Sequence, residues 1–115
     1  MNIFFLSYDP FMCARYHCDR HVVKMIVESA QLLSTSHREL DPVVNLPLYK
    51  STHKNHPSAI WARQTSGNYN WLWCLLKGLC NEYTYRYDKI HKCEYSGLVN
   101  HLMNLPTNIP AGVFV

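Results

Sequence analysis

His17, His21, Lys24, Glu28, Gln31 and Thr35 recur at spacings of 4, 3, 4, 3 and 4 within the run Phe11 to His37. At about 100° per residue they fall within an arc of roughly 80° on one helix face. Around that face the run is mostly apolar or small: Cys18, Val22, Val23, Met25, Ile26, Val27, Ala30, Leu32 and Leu33. A surface helix normally carries an apolar stripe on a polar cylinder. Here the pattern is inverted, which predicts a helix buried on most sides. Its polar stripe then faces a cleft, a partner or internal polar groups. The plainer alternative is the thin solvent face of a central helix.

Three chemistries fit such a stripe. In the first, Lys24 is a nucleophilic amine whose pKa is lowered by an apolar setting and by neighbouring imidazolium groups, and it attacks an aldehyde carbon to form a Schiff base. Glu28 then serves as acid and base, and His17 and His21 carry protons. A simple Lys24–Glu28 ion pair at i, i+4 explains the same two residues. In the second, His17, His21 and Glu28 hold a divalent metal ion, with His37, His53 or His56 completing its shell. Lys24 on the same face opposes that ion electrostatically, and no HExxH arrangement is present. No other cofactor is called for.

The third chemistry is phosphate binding. The segment Tyr49 to Pro57 is polar, basic and His-rich, and it feeds into a helix start. Unpaired N–H groups and the helix dipole favour an anion there. Lys50, His53, Lys54, His56 and Arg63 are the candidate phosphate holders. Tyr49 and Tyr69 are candidates to stack on an extruded base. The bland counterpart is an exposed, solvated loop.

The elements that must position these groups follow from pattern. Asn2 to Ser7 reads as a short buried strand. Tyr8-Asp9-Pro10 ends it, with Asp9 placed to cap a helix from about Phe11 to Thr35 or His37, whose Ser34, Thr35 and Ser36 mark a fraying end. Arg38 to Lys50 is a loop in which Val43, Val44 and Leu46 pack down on the core. A second helix, Ser58 to about Gln64, starts at Pro57, turns Ile60 and Trp61 inward and Arg63 outward, and is broken by Ser66-Gly67. A third spans roughly Asn68 to Tyr87, with Trp71, Leu72, Leu75, Leu76, Leu79, Cys80 and Tyr83 as its core face. A shorter one runs from Glu94 to Met103, and residues 105–110 are extended. The apolar end Val113-Phe114-Val115 suggests a chain truncated at its C-terminus.

Length and composition bound the rest. The 115 residues make one domain, 1–115, and 48% hydrophobic with 17% charged residues describes a compact chain. A net charge of +3 without a Lys/Arg block permits a nucleic-acid partner without demanding one. Eight Tyr, three Trp and four Phe, several beside basic residues, suit base stacking, although most belong to a core. Five cysteines without a CxxC, and an apolar start too short for a secretory signal or a membrane span, fit reduced thiols in a cytoplasm, the host's if the chain is viral. Cys18, Cys74 and Cys80 are expected in the core.

The order of features resembles a poorly characterised group of phage-encoded proteins. The residues carrying that resemblance are Asp9-Pro10, Tyr16 to Met25, Glu28 to Leu33, Tyr49-Lys50 with Thr52 to Pro57, and Asn81 to Tyr87. More distantly, the layout is similar to small helical pyrimidine-dimer DNA glycosylases with lyase activity. Those enzymes use the amine at the start of the mature chain, assisted by a helical glutamate. Here Met1 is followed by the bulky Asn2 and no glutamate stands at a matching position, so their catalytic residues do not carry over. The expectation is a mainly α domain with a short N-terminal β-strand, in which the His53–Arg63 segment lies near the His17/His21/Lys24/Glu28 face. The leading function is a nucleic-acid-processing enzyme acting on a base or sugar-phosphate, of the DNA glycosylase or lyase kind. Its rivals are a metal-dependent enzyme and a non-catalytic binder of a phosphorylated ligand.

Overall fold

A computed structural model describes residues 3–41, 43–44 and 46–115. Two long helices dominate it, α2 (Asp19–Leu40) and α4 (Ser66–Tyr87). Their apolar residues recur at three- and four-residue spacings: Val22, Met25, Ile26 and Leu33 on α2, and Leu72, Leu75, Leu76 and Leu79 on α4. All of these are buried in one cluster. The short α1 (Pro10–Arg15) packs on α4, and α3 (Pro57–Ala62) packs on α2. The chain closes with α5 (Lys92–Tyr95) and α6 (Leu98–Leu102). Gly78 lets α1 approach α4, because a Cβ there would meet the Ala14 methyl at 3.0 Å.

The expected N-terminal strand is absent, and among the described residues the fold is all-α. Residues 3–7 form no regular secondary structure, and among the described residues no other segment offers a ladder to pair with them. Their polar groups go elsewhere. The Leu6 N–H donates to the Cys13 thiol at 3.3 Å, and that thiol donates to the Phe4 carbonyl at 3.0 Å.

The expected first helix is two helices. Asp9 caps α1 as predicted, accepting from the Phe11 and Met12 N–H groups at 2.9 and 3.2 Å. The helix then stops at Arg15, and Tyr16-His17-Cys18 form a turn before α2. Arg86, near the end of α4, holds that turn open by donating to the Arg15 carbonyl at 3.1 Å and the His17 carbonyl at 2.8 Å. The Ser34-Thr35-Ser36-His37 stretch does not fray; it lies buried inside α2, which runs on to Leu40.

Other boundaries shift for local reasons. Ser66 and Gly67 begin α4 instead of breaking a helix, with Thr65 capping it through a 3.1 Å bond from the Asn68 N–H. On α3, Ile60 faces solvent while Arg63 is half-buried, the reverse of the expectation. The last predicted helix is split by Gly97, whose φ of 88° only glycine adopts freely. Val44 and Leu46 pack on the core, but Val43 is exposed.

Candidate functional site

The polar stripe is shorter than its spacing implied. His17 leaves it, because its turn carries the imidazole into the protein, where the residue is only 3% exposed. Its Nδ1 lies 2.7 Å from the Cys13 carbonyl, which can only accept, so Nδ1 holds the proton. Its Nε2 is buried without a hydrogen-bond partner. Burial pushes the His17 pKa down, opposed by the Cys13 bond and reinforced by His21 and Arg86. His21 is half-buried and stacks on Phe4, with ring centroids 4.5 Å apart.

Lys24 is exposed on α2 and Glu28 is half-buried one turn on. The desolvation that an activated amine needs is therefore missing at Lys24. Thr35, at the far end of the stripe, is buried and meets the loop. It accepts from the Thr52 N–H at 3.2 Å and faces the Thr52 carbonyl at 3.4 Å. Ser34 accepts from the Tyr49 N–H at 3.3 Å, and Arg38 donates to the Tyr49 and Leu48 carbonyls at 2.8 and 2.9 Å. The stripe thus meets the 48–52 loop at one end and the N-terminal segment, through Phe4, at the other.

The candidate phosphate loop is mixed. Lys50, His53 and Lys54 are exposed, with Lys54 3.9 Å from the Glu39 carboxylate. His53 adopts a φ of 48° and bonds the Thr52 hydroxyl at 2.8 Å. His56 caps α3 with its own imidazole, which accepts from the Ser58 N–H at 3.1 Å. That bond takes an N–H the phosphate reading had reserved for an anion. Arg63 is half-buried, with one terminal nitrogen buried and unpartnered.

Neither tyrosine named for base stacking is free to do it. Tyr69 is fully buried; its hydroxyl donates to the Leu102 carbonyl at 2.6 Å and meets His37 Nε2 at 2.9 Å. Tyr49 packs against the core with its hydroxyl 3.5 Å from the Cys93 thiol, and burial pushes that phenol up to about 12. Cys18 is exposed, not core, and Cys74 is half-buried.

What the spacing missed is an aromatic cleft of about 550 Å³, within the usual range for ligand pockets. Ile3, Phe5 and Tyr8 form one wall, Phe114 and Val115 another, and Pro57, Ser58 and Trp61 the α3 side. Phe5 stacks on Trp71 at 5.1 Å, and Phe114 stacks on both Trp71 and Phe5 at 5.4 and 5.9 Å. Trp61 stands edge-on to Trp71 and Phe114 at 6.1 and 5.9 Å. Phe5 and Tyr8 remain 47% and 81% exposed, so ring faces are open to a ligand. The signal in the sequence was weak: these aromatics come from three distant segments, and only the high aromatic count hinted at a surplus over the core.

Among the described residues no group of three or more His, Cys, Asp or Glu side chains converges on a metal position. His17 outside the helix and Glu28 further along it account for the failure of the His17/His21/Glu28 set. Nor is any described helix long and apolar enough to cross a membrane. Comparison with protein-family models, with characterised proteins and with solved structures found no match.

Proposed function

We propose that this chain processes nucleic acid, acting on a base or a sugar-phosphate in the manner of a DNA glycosylase or lyase. The observation that carries this reading is the open aromatic cleft, taken with the polar face of α2. The N-terminal segment links the two, with Phe4 on His21 and Phe5 in the cleft. An unpaired base needs ring faces to stack on once it leaves the duplex. Phe5, Tyr8, Trp61 and Phe114 are the rings that would receive it. His21, Lys24 and Glu28 are the imidazole, amine and carboxylate of the α2 face, which the N-terminal segment joins to the cleft. Lys50, Lys54 and Arg63 supply positive charge on the side of α3. The resemblance to phage-encoded proteins and, distantly, to pyrimidine-dimer glycosylases agrees with this assignment.

The exposure of Lys24 favours a second reading, in which the same surface binds a nucleotide or phosphorylated ligand without covalent chemistry. Borohydride trapping on duplex DNA containing an abasic site or ultraviolet-induced dimers separates the two. A covalent adduct lost in Lys24→Ala supports the lyase with Lys24 as its amine. An adduct that survives keeps the lyase and moves the amine to another lysine or the chain terminus. No adduct, together with tryptophan quenching by single-stranded oligonucleotide that Phe5→Ala weakens, leaves the binder; stacking is worth about 1–3 kcal/mol per base. Neither adduct nor quenching ends both readings.

A further inference from the structure

The N-terminal segment stands between two different neighbours. Phe4 meets the imidazoles, stacked on His21 at 4.5 Å and edge-on to His17 at 5.8 Å. Ile3 and Phe5 line the aromatic cleft, and Phe5 stacks on Trp71. With no strand ladder, the described bonds holding residues 3–8 are few: the two to the Cys13 thiol, one from the Trp71 indole to the Tyr8 carbonyl at 2.9 Å, and a local one from the Asp9 N–H to the Ser7 hydroxyl at 3.2 Å.

His17 is the group under strain beside this segment. Its Nδ1 proton is committed to the Cys13 carbonyl, and its Nε2 is buried without a partner. Neutral, that nitrogen is a lone pair without a donor. Protonated, it becomes a buried N–H without an acceptor, carrying a charge. The groups around it worsen that charge. Arg86 of α4 bonds the His17 carbonyl, and His21 of α2 faces it across Phe4. The carboxylates on Arg86, Asp19 of α2 and Glu82 of α4, are engaged with that guanidinium at 3.1 and 3.0 Å. On α1 the facing group is the Cys13 carbonyl.

We infer that His17 is a positioning residue that works as an acid-sensitive latch on the cleft. A proton taken from solvent at Nε2 drives the imidazole out from behind Phe4, and the segment withdraws Ile3 and Phe5 from the aromatic wall. The closed arrangement disfavours the proton, whereas an imidazole released to solvent binds it near the ordinary value of 6.5. The released state therefore gains population as pH falls from 6.5 toward the lowered value of the closed state. This inference goes beyond the proposed function and holds whatever the cleft binds.

Trp71 and Trp61 report on the cleft directly, so the test is tryptophan emission of the whole chain from pH 8 to pH 5. Wild type should show a reversible step with its midpoint below 6.5 while far-ultraviolet circular dichroism stays constant. His17→Gln should abolish the step, and His91→Gln, which removes a half-buried imidazole, should keep it. A step that survives in His17→Gln, a flat wild-type profile, or a step that coincides with loss of helix overturns the latch. If His17→Gln fails to fold, hydrogen exchange of wild type decides. Loss of protection confined to residues 3–8 at pH 5.5 relative to pH 7.5, corrected for intrinsic rates, supports it; unchanged protection overturns it.

Discussion

The two halves of α2 use similar residue types to opposite ends. Its N-terminal half leaves Lys24 exposed and His21 half-buried, with the Phe4 ring stacked on the imidazole. Its C-terminal half buries Ser34, Thr35, Ser36 and His37, and nearly every polar atom there has a fixed partner. Ser34, Thr35 and Arg38 bind the backbone of residues 48–52. His37 donates through Nε2 toward the Tyr69 oxygen and the Asn104 carbonyl at 2.9 and 2.8 Å. Asp41, just past the helix, accepts from the Thr107 and Asn108 N–H groups at 3.0 Å each. A polar stripe on a buried helix is thus divided by what crosses it. Where loops arrive with unpaired backbone groups, it becomes their anchor. Where the N-terminal segment arrives instead, the stripe meets it through a ring, Phe4 stacked on His21.

The division can be broken most severely at Arg38. Arg38→Ala leaves two partly buried carbonyls unpaired and should lower unfolding stability by about 2–4 kcal/mol, measured by urea titration. A loss within the scatter of surface substitutions would mean the loop does not depend on its anchor. Tyr69→Phe should cost about 1–2 kcal/mol in the same titration, since the Leu102 carbonyl loses its donor. Mild acid should produce a smaller, graded loss. Burial lowers the pKa values of His17, His37 and His91, so the unfolded chain binds protons first. Stability is then full above pH 6.5 and declines as pH falls through 6.5 toward the lowered native values, which thermal unfolding at pH 7.5 and 5.5 will show. Smallest of all, Lys24→Ala on the open half should change stability by less than about 0.5 kcal/mol. A larger loss would place Lys24 among the anchors and remove the contrast between the halves.

The core helices were legible because their information is local. Leucines at helical spacing on α4 and the Asp9 cap act within a few residues of themselves. The buried face of α2 followed from the same periodicity. The site was legible only in part. His21, Lys24 and Glu28 do share an α2 face, yet His17 does not, and nothing near Tyr16-His17-Cys18 announces the break. No glycine or proline stands there; the Arg15 and His17 carbonyls are taken by Arg86, about 70 positions on in the last turn of α4.

Sequence by itself determined that this chain is helical, that α2 carries polar groups on a narrow face, and that its aromatic content is high. Those properties depend on the 3.6-residue period and on composition, which the order of residues states outright. Only the tertiary structure decided that Ile3 to Ser7 pairs with no described strand, that Tyr69 is buried while Tyr8 is open, and that Phe5, Trp61 and Phe114 close on one cleft. Each of those outcomes turns on which distant segment supplies a hydrogen-bond partner or a ring, and a one-dimensional pattern holds no record of that choice.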